Sequence, residues 1–301
     1  MKAKFLSLLL CLMVLSGATA SPLKVVFINP GHPQGDDTGA FWSNVNRFMQ
    51  AAANDLDIEL LSLHAKRNHL LMKQLADDAA RLKPDYAIIV NEKSSGLDVA
   101  HTLMAHNIPV FMLLNNFSEQ EVAGFDESQQ ALLIGSVIPD NFQAGRSLME
   151  GLLSIHKQKY PMQKSITLIA LQGDYSSPAS VQRNAGLIDY LIQHPEIQFL
   201  DSPVVSWSGE IAYQKIKGLI QRQRIDIIWS ANDPIAIGAR RAVIEALPDY
   251  QVTIGGINWD KPDKQFPIDL SYGGHVVLGA KALVMLADYH AGLRPACRMQ
   301  R

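Results

Sequence analysis

The sequence predicts an α/β fold of two lobes, each a parallel β-sheet flanked by helices. Apolar runs that look like buried strands alternate with segments of helical periodicity, a pattern typical of parallel sheets covered on both faces. The spacing of the runs in the first half of the chain recurs in the second. A hydrophobic content of 48% in 301 residues is ample for the two cores this fold requires.

The first twenty residues predict a cleavable secretory signal, so we expect the mature chain in the periplasm. Lys2 and Lys4 precede an apolar run at residues 5–15, and the small residues Ala-Thr-Ala follow at 18–20. The run is too short to span a bilayer, and no later segment reaches about 18 consecutive apolar residues. We therefore expect a mature protein that does not insert into a membrane.

Composition excludes further classes of protein. The net charge is −2, from 27 basic and 29 acidic residues, so no bulk field attracts nucleic acid or an anionic membrane. Of the two cysteines, Cys11 lies in the predicted signal, which leaves Cys297 alone. A single thiol forms no internal disulfide, and the disulfide-scaffold class is excluded.

Eight apolar runs are predicted to be buried strands, in two sets of four. Successive starts are about 33, 28 and 24 residues apart in the first set and about 33, 28 and 25 apart in the second. The predicted starts are Val25, Ile58, Tyr86, Val110, Ile166, Phe199, Ile227 and Val252. The recurrence predicts two halves with the same winding.

Segments with apolar residues three or four positions apart lie between these runs and predict helices. Two such sets are Phe41, Val45, Phe48, Met49 and Ala52, and Leu71, Leu75, Ala79 and Leu82. Asp140 is predicted to cap the helix that opens the second half. A last helical pattern at residues 271–290 is expected to return the chain to its first lobe.

These elements predict the domain boundaries. Residues 21–138 with 273–292 are expected to form the N-terminal lobe, and residues 139–272 the C-terminal lobe. Residues 293–301 form an atypical tail. No Gly/Ser linker separates the halves, so we expect the lobes to be joined closely.

Ligands of open parallel sheets bind beyond the carboxyl ends of the strands, and here those positions are rich in amides and rings. The segments after the predicted strands contain Asn29, Asn91, Asn115, Asn116, Asp174, Trp207, Asn232, Asp233, Asn258 and Trp259. An Asn side chain both donates and accepts hydrogen bonds, as a sugar hydroxyl does, and a ring covers the C–H face of a sugar. The competing interpretation is that these residues are ordinary caps and turn formers.

Two further features are candidates for ligand contact. Phe41 and Trp42 stand at a predicted helix start, and two adjacent rings cannot both face one core, so we expect one ring to face the cleft. Arg183 lies in a helix of otherwise apolar and neutral residues. It is either a solvated side chain or a clamp for a hydroxyl or carboxylate.

Enzyme and metal signatures are weak, so we predict no catalytic residue, metal or cofactor. The glycines of residues 31–39 lack the spacing of a dinucleotide or phosphate loop, and no Gly-x-Ser-x-Gly motif occurs. The closest histidines are five residues apart rather than four. An exported hydrolase stays open as an alternative, with Ser176 and Ser177 as the nearest candidate nucleophiles.

Four motifs follow one another along the chain: Asp140-Asn-Phe-Gln-Ala-Gly-Arg146, Arg183-Asn-Ala-Gly186, Asn232-Asp233-Pro-Ile-Ala-Ile-Gly-Ala239 and Ile254-Gly-Gly-Ile-Asn258. In this order they resemble the type I periplasmic sugar-binding proteins, such as the ribose- and galactose-binding proteins. The resemblance covers roughly residues 23–292. It implies a ligand cleft between two hinge-linked lobes, with three hinge strands and closure over the ligand.

The resemblance also implies a set of ligand-binding residues drawn from both lobes. They are Phe41, Trp42, Asn115, Arg183, Trp207, Asn232, Asn258 and His275. Relatives often carry Asp at the positions of Asn115 and Asn258, so the identity of the sugar stays open. Relatives also add a closing strand after residue 292, which residues 293–301 are too short and too polar to supply.

The resulting hypothesis is a monomeric periplasmic receptor that captures a small neutral sugar or polyol and delivers it to the membrane permease of an ABC transporter. The alternative is a receptor whose closed form is recognised by a membrane sensor kinase or cyclase. A nucleic-acid-binding repressor of the same fold is not expected, because the predicted signal occupies the place of its DNA-binding helices.

Overall fold

Two parallel β-sheets form the framework of the protein, as described by a computed structural model over residues 21–293. The predicted signal and, apart from Leu293, the predicted tail lie outside the described residues. Each sheet has five strands, and all paired strands run parallel. The predicted α/β fold of two parallel-sheet lobes is confirmed.

The two sheets have the same winding. The first consists of β1 (Leu23–Asn29), β2 (Ile58–His64), β3 (Tyr86–Ile89), β4 (Val110–Leu113) and β5 (Leu133–Val137), in the spatial order β2-β1-β3-β4-β5. The second consists of β6 (Ile166–Leu171), β7 (Ile197–Asp201), β8 (Ile227–Ser230), β9 (Thr253–Asn258) and β10 (Leu270–Gly273), in the order β7-β6-β8-β9-β10. Each sheet therefore reverses its direction of winding beside its first strand, which is where such sheets bind ligands.

Helices cover both sheets. They are α1 (Phe41–Asp55), α2 (His69–Leu82), α3 (Gly96–Ala105), α4 (Glu119–Ala123), α5 (Glu127–Leu132), α6 (Asn141–Lys159), α7 (Pro178–Ile192), α8 (Gly209–Leu219), α9 (Asp233–Ala246) and α10 (Leu278–His290). Asp140 caps α6 as predicted, since its side chain accepts a hydrogen bond of 2.8 Å from the Gln143 N–H. No helix within residues 21–293 is long and apolar enough to cross a membrane.

The described chain passes between the sheets twice. After β5, residues 138–140 lead into α6 and the second sheet. After β10, Gly274 turns with φ of 103°, a left-handed conformation that favours glycine, and α10 then packs on α1 beside the first sheet. Leu283 and Leu286 of α10 share a core with Val45 and Met49 of α1.

Most predicted elements are confirmed, and three details are wrong. Each of the eight predicted strands begins within two residues of its expected start, but β5 and β10 were not predicted. Residues 271–290 are not one helix, because β10 occupies the segment up to Gly273 and a 3₁₀ turn at His275–Val277 precedes α10. In the predicted helical faces, Phe48 of α1 and Leu82 of α2 are exposed, because the buried face of α1 consists of Val45, Met49 and Ala53 and that of α2 includes Met72 and Ala76.

Candidate functional site

A cavity lies between the two sheets, beyond the carboxyl ends of their strands. Its space, including the part that is open to solvent, is about 580 Å³. The lining residues are Thr38, Phe41, Trp42, Arg67, Glu92, Leu114, Asn115, Pro139, Asn141, Ser177, Ala179, Arg183, Trp207, Asn232, Asn258 and His275. All eight residues predicted for the ligand site are among them, so the structure brings the complete predicted set together.

Aromatic side chains of the first lobe form one wall. The rings of Phe41 and Trp42 meet edge to face with centroids 5.1 Å apart, and the Phe41 ring also lies 4.9 Å from the imidazole of His275, with the two planes tilted by 31°. Both half-buried rings line the cavity, as the family resemblance implied, whereas helix geometry alone predicted only one ring there. Asn29 fixes this start by donating to the Trp42 carbonyl and accepting from the Gly31 N–H.

Arg183 is the centre of the opposite wall. Its side chain is buried, and its guanidinium donates to Asn141 Oδ1 at 3.0 Å and to the Ala231 carbonyl at 2.7 Å. A third contact of 3.3 Å joins Nη2 to His275 Nε2. The Trp207 ring lies 5.7 Å from the guanidinium carbon, a cation–π distance. The solvated alternative for Arg183 is therefore wrong, and its donor groups are held in place beside the cavity.

His275 is an uncharged member of this wall. Burial, and then the positive charge of Arg183, lower the pKa of His275 to about 3. Because a guanidinium only donates, Nε2 of His275 accepts the contact from Arg183 and the ring proton lies on Nδ1. Burial also lowers the pKa of Arg183 to about 10, which still leaves Arg183 cationic at neutral pH.

Asn232 and Asn258 hold their amides in opposite orientations. Asn232 caps α9, and its Oδ1 accepts from the Ile235 N–H at 2.9 Å. Its NH₂ group donates one hydrogen to the Trp207 carbonyl at 3.5 Å, which leaves the second N–H as a donor at the cavity. Asn258 instead donates its NH₂ to Asp260 Oδ2 at 3.1 Å, which leaves its oxygen as an acceptor. The cavity therefore presents a donor at one amide and an acceptor at the other.

A carboxylate lies behind Asn232. Asp233 is buried, and its Oδ2 accepts from Ser271 Oγ at 2.6 Å and from the Asp260 N–H at 2.9 Å. Burial raises the pKa of Asp233 to about 6 despite these contacts and the charge of Arg183. Asp233 itself is not among the lining residues, and it acts on the site through the Asn258–Asp260 loop.

The first lobe adds an ion pair that the sequence interpretation missed. Arg67 and Glu92 follow β2 and β3, lie 2.9 Å apart, and both line the cavity with largely buried side chains. Arg67 has φ of 61°, and no short sequence motif marks it. Glu92 directly follows Asn91 at a predicted strand end, but it was not singled out from the sequence. The long side chain of Arg67 reaches the cavity from the residues just before α2. Its position depends on tertiary packing, which the spacing of residues in the sequence does not show.

The lobes also touch each other beside the cavity. Asn44 of α1 donates to Asp260 at 3.5 Å across the gap between the sheets. A Cβ at Gly39, which has φ of 96°, would lie 2.4 Å from Cγ of Pro234 at the start of α9. The charges of Lys93 and Arg67 act on Asp174 of the other lobe and help to lower the pKa of its carboxyl, which burial alone would raise.

Two like-wound α/β lobes with one shared cavity define a two-lobed binding protein. Residues 33–266 match the family model of the periplasmic binding protein domain, and the chain belongs to that family. Members of this family bind substrates in the periplasm, and the resemblance inferred from the four motifs is confirmed. A search of curated proteins found no match.

Solved structures show the same architecture. A periplasmic sugar-binding protein from Pseudomonas fluorescens is 29% identical with a TM-score of 0.78, covering 90% of this chain and 81% of that one. The periplasmic component of the arabinose ABC transporter of Shewanella sp. ANA-3 is 18% identical, with a TM-score of 0.76 over 92% and 89% of the chains. A galactofuranose-binding protein is 17% identical, with a TM-score of 0.75 over 93% of each chain.

The serines considered as nucleophiles have local roles. Ser176 Oγ donates to Asp174 Oδ1 at 2.7 Å within one turn. That carboxyl has a lowered pKa, to which the two hydrogen bonds from Ser176 contribute, and so it is a weak base. Ser177 precedes α7 and lines the cavity as a polar contact. The family and these relatives are binding proteins.

Proposed function

We propose that the protein captures a small sugar-like ligand between its lobes in the periplasm and delivers it, as a monomer, to the permease of an ABC transporter. The observation that carries this proposal is a cavity lined from both lobes by amides, aromatic rings and the buried Arg183. Amides match hydroxyl groups, and rings cover C–H faces. The similarity to a sugar-binding protein at 29% identity supports the ligand class.

Ligand capture is expected to be coupled to lobe closure. The lining residues come from both lobes, so a ligand that contacts all of them stabilises the closed arrangement over the open one. A permease that recognises the closed arrangement then distinguishes the loaded from the empty protein. The sensor kinase or cyclase proposed as an alternative partner gains no support from the relatives.

Isothermal titration of the mature chain against a panel of sugars, polyols and their acids tests ligand capture. We expect at least one member to bind with heat, and Trp42→Ala to weaken that binding at least tenfold because a stacking face is lost. Phe48→Ala is the matched control, since Phe48 lies on the same helix with its ring exposed to solvent. Absence of heat for the whole panel contradicts the proposal.

A further inference from the structure

The charge of Arg183 has no counter-charge among its contacts. Its side chain is 5% exposed, and its three partners, an amide oxygen, a carbonyl and a neutral imidazole, are all uncharged. A guanidinium has five N–H donors, so these contacts leave one N–H each on Nη1 and Nη2. The charge of the buried Asp233 acts on Arg183, but no hydrogen bond joins the two side chains, so an acceptor from outside the chain can bind these two N–H groups.

The other lining residues do not supply an anionic side chain in contact with Arg183. Glu92 is the acidic side chain among the described lining residues, and Arg67 already pairs with it at 2.9 Å. Asn115 and Asn258 are neutral amides. Two arginines and one glutamate give the lining itself one more positive than negative side chain, and the buried carboxylate of Asp233, behind the lining, acts on the charge of Arg183 without contacting it.

Helix dipoles add to this positive potential. Four helices of 14 to 19 residues, α1, α6, α7 and α9, begin at the cavity, where residues at or beside their first turns belong to the lining. The N-terminus of an α-helix is equivalent to roughly half a positive charge and favours anions. The dipoles and Arg183 thus act in the same direction.

Amide orientations concentrate donors near Arg183. Asn141 must turn its oxygen to Arg183 Nε, which only donates, so its NH₂ group faces away from the guanidinium. The side-chain oxygen of Asn232 accepts a hydrogen bond from the Ile235 N–H, which can only donate, so the orientation of this amide is fixed as well. Both amides line the cavity and offer donors there, whereas Asn258 offers an acceptor. This pattern fits a molecule with an acceptor-only group at one end and hydroxyls at the other.

From these contacts we propose that the ligand is a sugar acid, a hydroxylated ring or chain whose carboxylate binds Arg183. The inference rests on the proposed function and narrows the ligand from sugars in general to their carboxylates. The Trp42 and Trp207 rings then cover the carbon skeleton, and the Asn115 and Asn258 amides bind hydroxyls.

Titration of matched pairs of ligands tests the inference. The probes are D-galacturonate against D-galactose and D-gluconate against D-glucitol, at pH 7.5 and low salt, where each acid differs from its partner by one carboxylate. We expect an acid to bind at least tenfold more tightly than its neutral partner. Arg183→Met removes the charge and is expected to abolish that preference, while Arg222→Met changes an exposed arginine of the same lobe and keeps it.

A second variant covers the case in which Arg183→Met does not fold. Asn115→Asp places a carboxylate in the cavity without disturbing Arg183 and is expected to weaken binding of the acid at least tenfold, with a smaller effect on the neutral partner. Neutral sugars that bind as tightly as their acids overturn the inference and leave the proposed function standing. Absence of binding by both members of every pair overturns the inference and the proposed function together.

Discussion

Individual asparagines in this protein serve both of the roles that the sequence left open. Asn29 and Asn91 have structural roles, because the side-chain amide of each forms hydrogen bonds with nearby backbone groups. Asn232 is a helix cap and a lining residue at once, because capping uses its oxygen and leaves its NH₂ group. The cap interpretation and the ligand interpretation are therefore compatible at one side chain.

Asn232→Asp separates these two roles. Asp caps helices about as well as Asn, so the melting temperature is expected to stay within a few degrees of the wild type. The donor NH₂ group becomes a carboxylate oxygen, so the affinity for the bound sugar or sugar acid is expected to fall at least tenfold. Thermal melts and titration of the same preparation measure both effects. A variant that binds as the wild type does would contradict a ligand role for this amide.

His275 is expected to make the stability of the protein pH-dependent. In the unfolded chain this imidazole takes up a proton as the pH falls through 6.5, whereas the folded protein accepts it only near pH 3. The unfolded state therefore binds more protons in this window, and stability that is complete above pH 6.5 is lost as the pH falls toward 3.

Thermal melts of His275→Gln between pH 7 and 4.5 measure this contribution. The variant is expected to lose less stability than the wild type over this range, by about 2 kcal/mol at pH 4.5. Burial also lowers the pKa values of His64 and His156, so these residues still contribute to the dependence of stability on pH in the variant. His69→Gln, at an exposed histidine, serves as the control and keeps the wild-type slope. Equal slopes for both variants would refute the assignment.

At the scale of elements, two of the four sequence motifs are explained by one helix pair. A Cβ at Gly145 of α6 would lie 1.9 Å from the Arg183 carbonyl oxygen, and one at Gly186 of α7 would lie 1.9 Å from the Phe142 carbonyl oxygen. The backbones of α6 and α7 are thus in direct contact, and this contact sets the position of Arg183. The motifs combine packing glycines with the ligand-site arginine.

Gly186→Ala is expected to push the two helices apart. Overpacking of this kind costs roughly 1–3 kcal/mol of the free energy of unfolding and also displaces Arg183, so ligand affinity falls as well. Gly218→Ala is the control, because nothing lies within 4 Å of its added Cβ in α8. At this position the substitution is expected to raise the free energy of unfolding by roughly 0.4–1 kcal/mol. Denaturant titration compares the two, and equal stabilities would show that the helix contact is unimportant.

Elements with long apolar runs were predictable, and short edge elements were not. Six of the eight predicted strands are largely buried, where continuous apolar sequence is required, and the two predicted edge strands, β2 and β7, are mostly not buried. β10 is a four-residue edge strand with no fully buried residue, so its sequence, Leu-Ser-Tyr-Gly, carries little apolar signal. The eight candidate ligand residues came from strand-end position together with the family resemblance. Arg67 and Glu92 were missed because only the folded chain brings them together.

At the scale of the whole molecule, one carboxylate joins a contact between the lobes to the ligand site. Asn44 reaches Asp260, and Asp260 also holds the amide of Asn258, so the contact between the lobes and the ligand site share one carboxylate. Burial raises the pKa of Asp260.

Asn44→Ala is expected to shift the empty protein toward an open arrangement. Loss of one hydrogen bond of 3.5 Å costs roughly 0.5–1.5 kcal/mol, so ligand affinity is expected to fall about two- to tenfold. Small-angle X-ray scattering is expected to show a larger radius of gyration for the ligand-free variant. Asn54→Ala, an exposed asparagine at the other end of α1, is the control. An unchanged radius together with unchanged affinity would contradict a role for this contact in closure.

The placement of the four tryptophans gives the molecule a built-in optical readout. Trp42 and Trp207 face the cavity from opposite lobes, whereas Trp229 is enclosed in the second core and Trp259 is 71% exposed. Occupancy of the cavity changes the surroundings of the first pair and leaves the second pair as a constant background. Intrinsic fluorescence thus reports loading without any dye, which turns the purified chain into a biosensor for its own cargo.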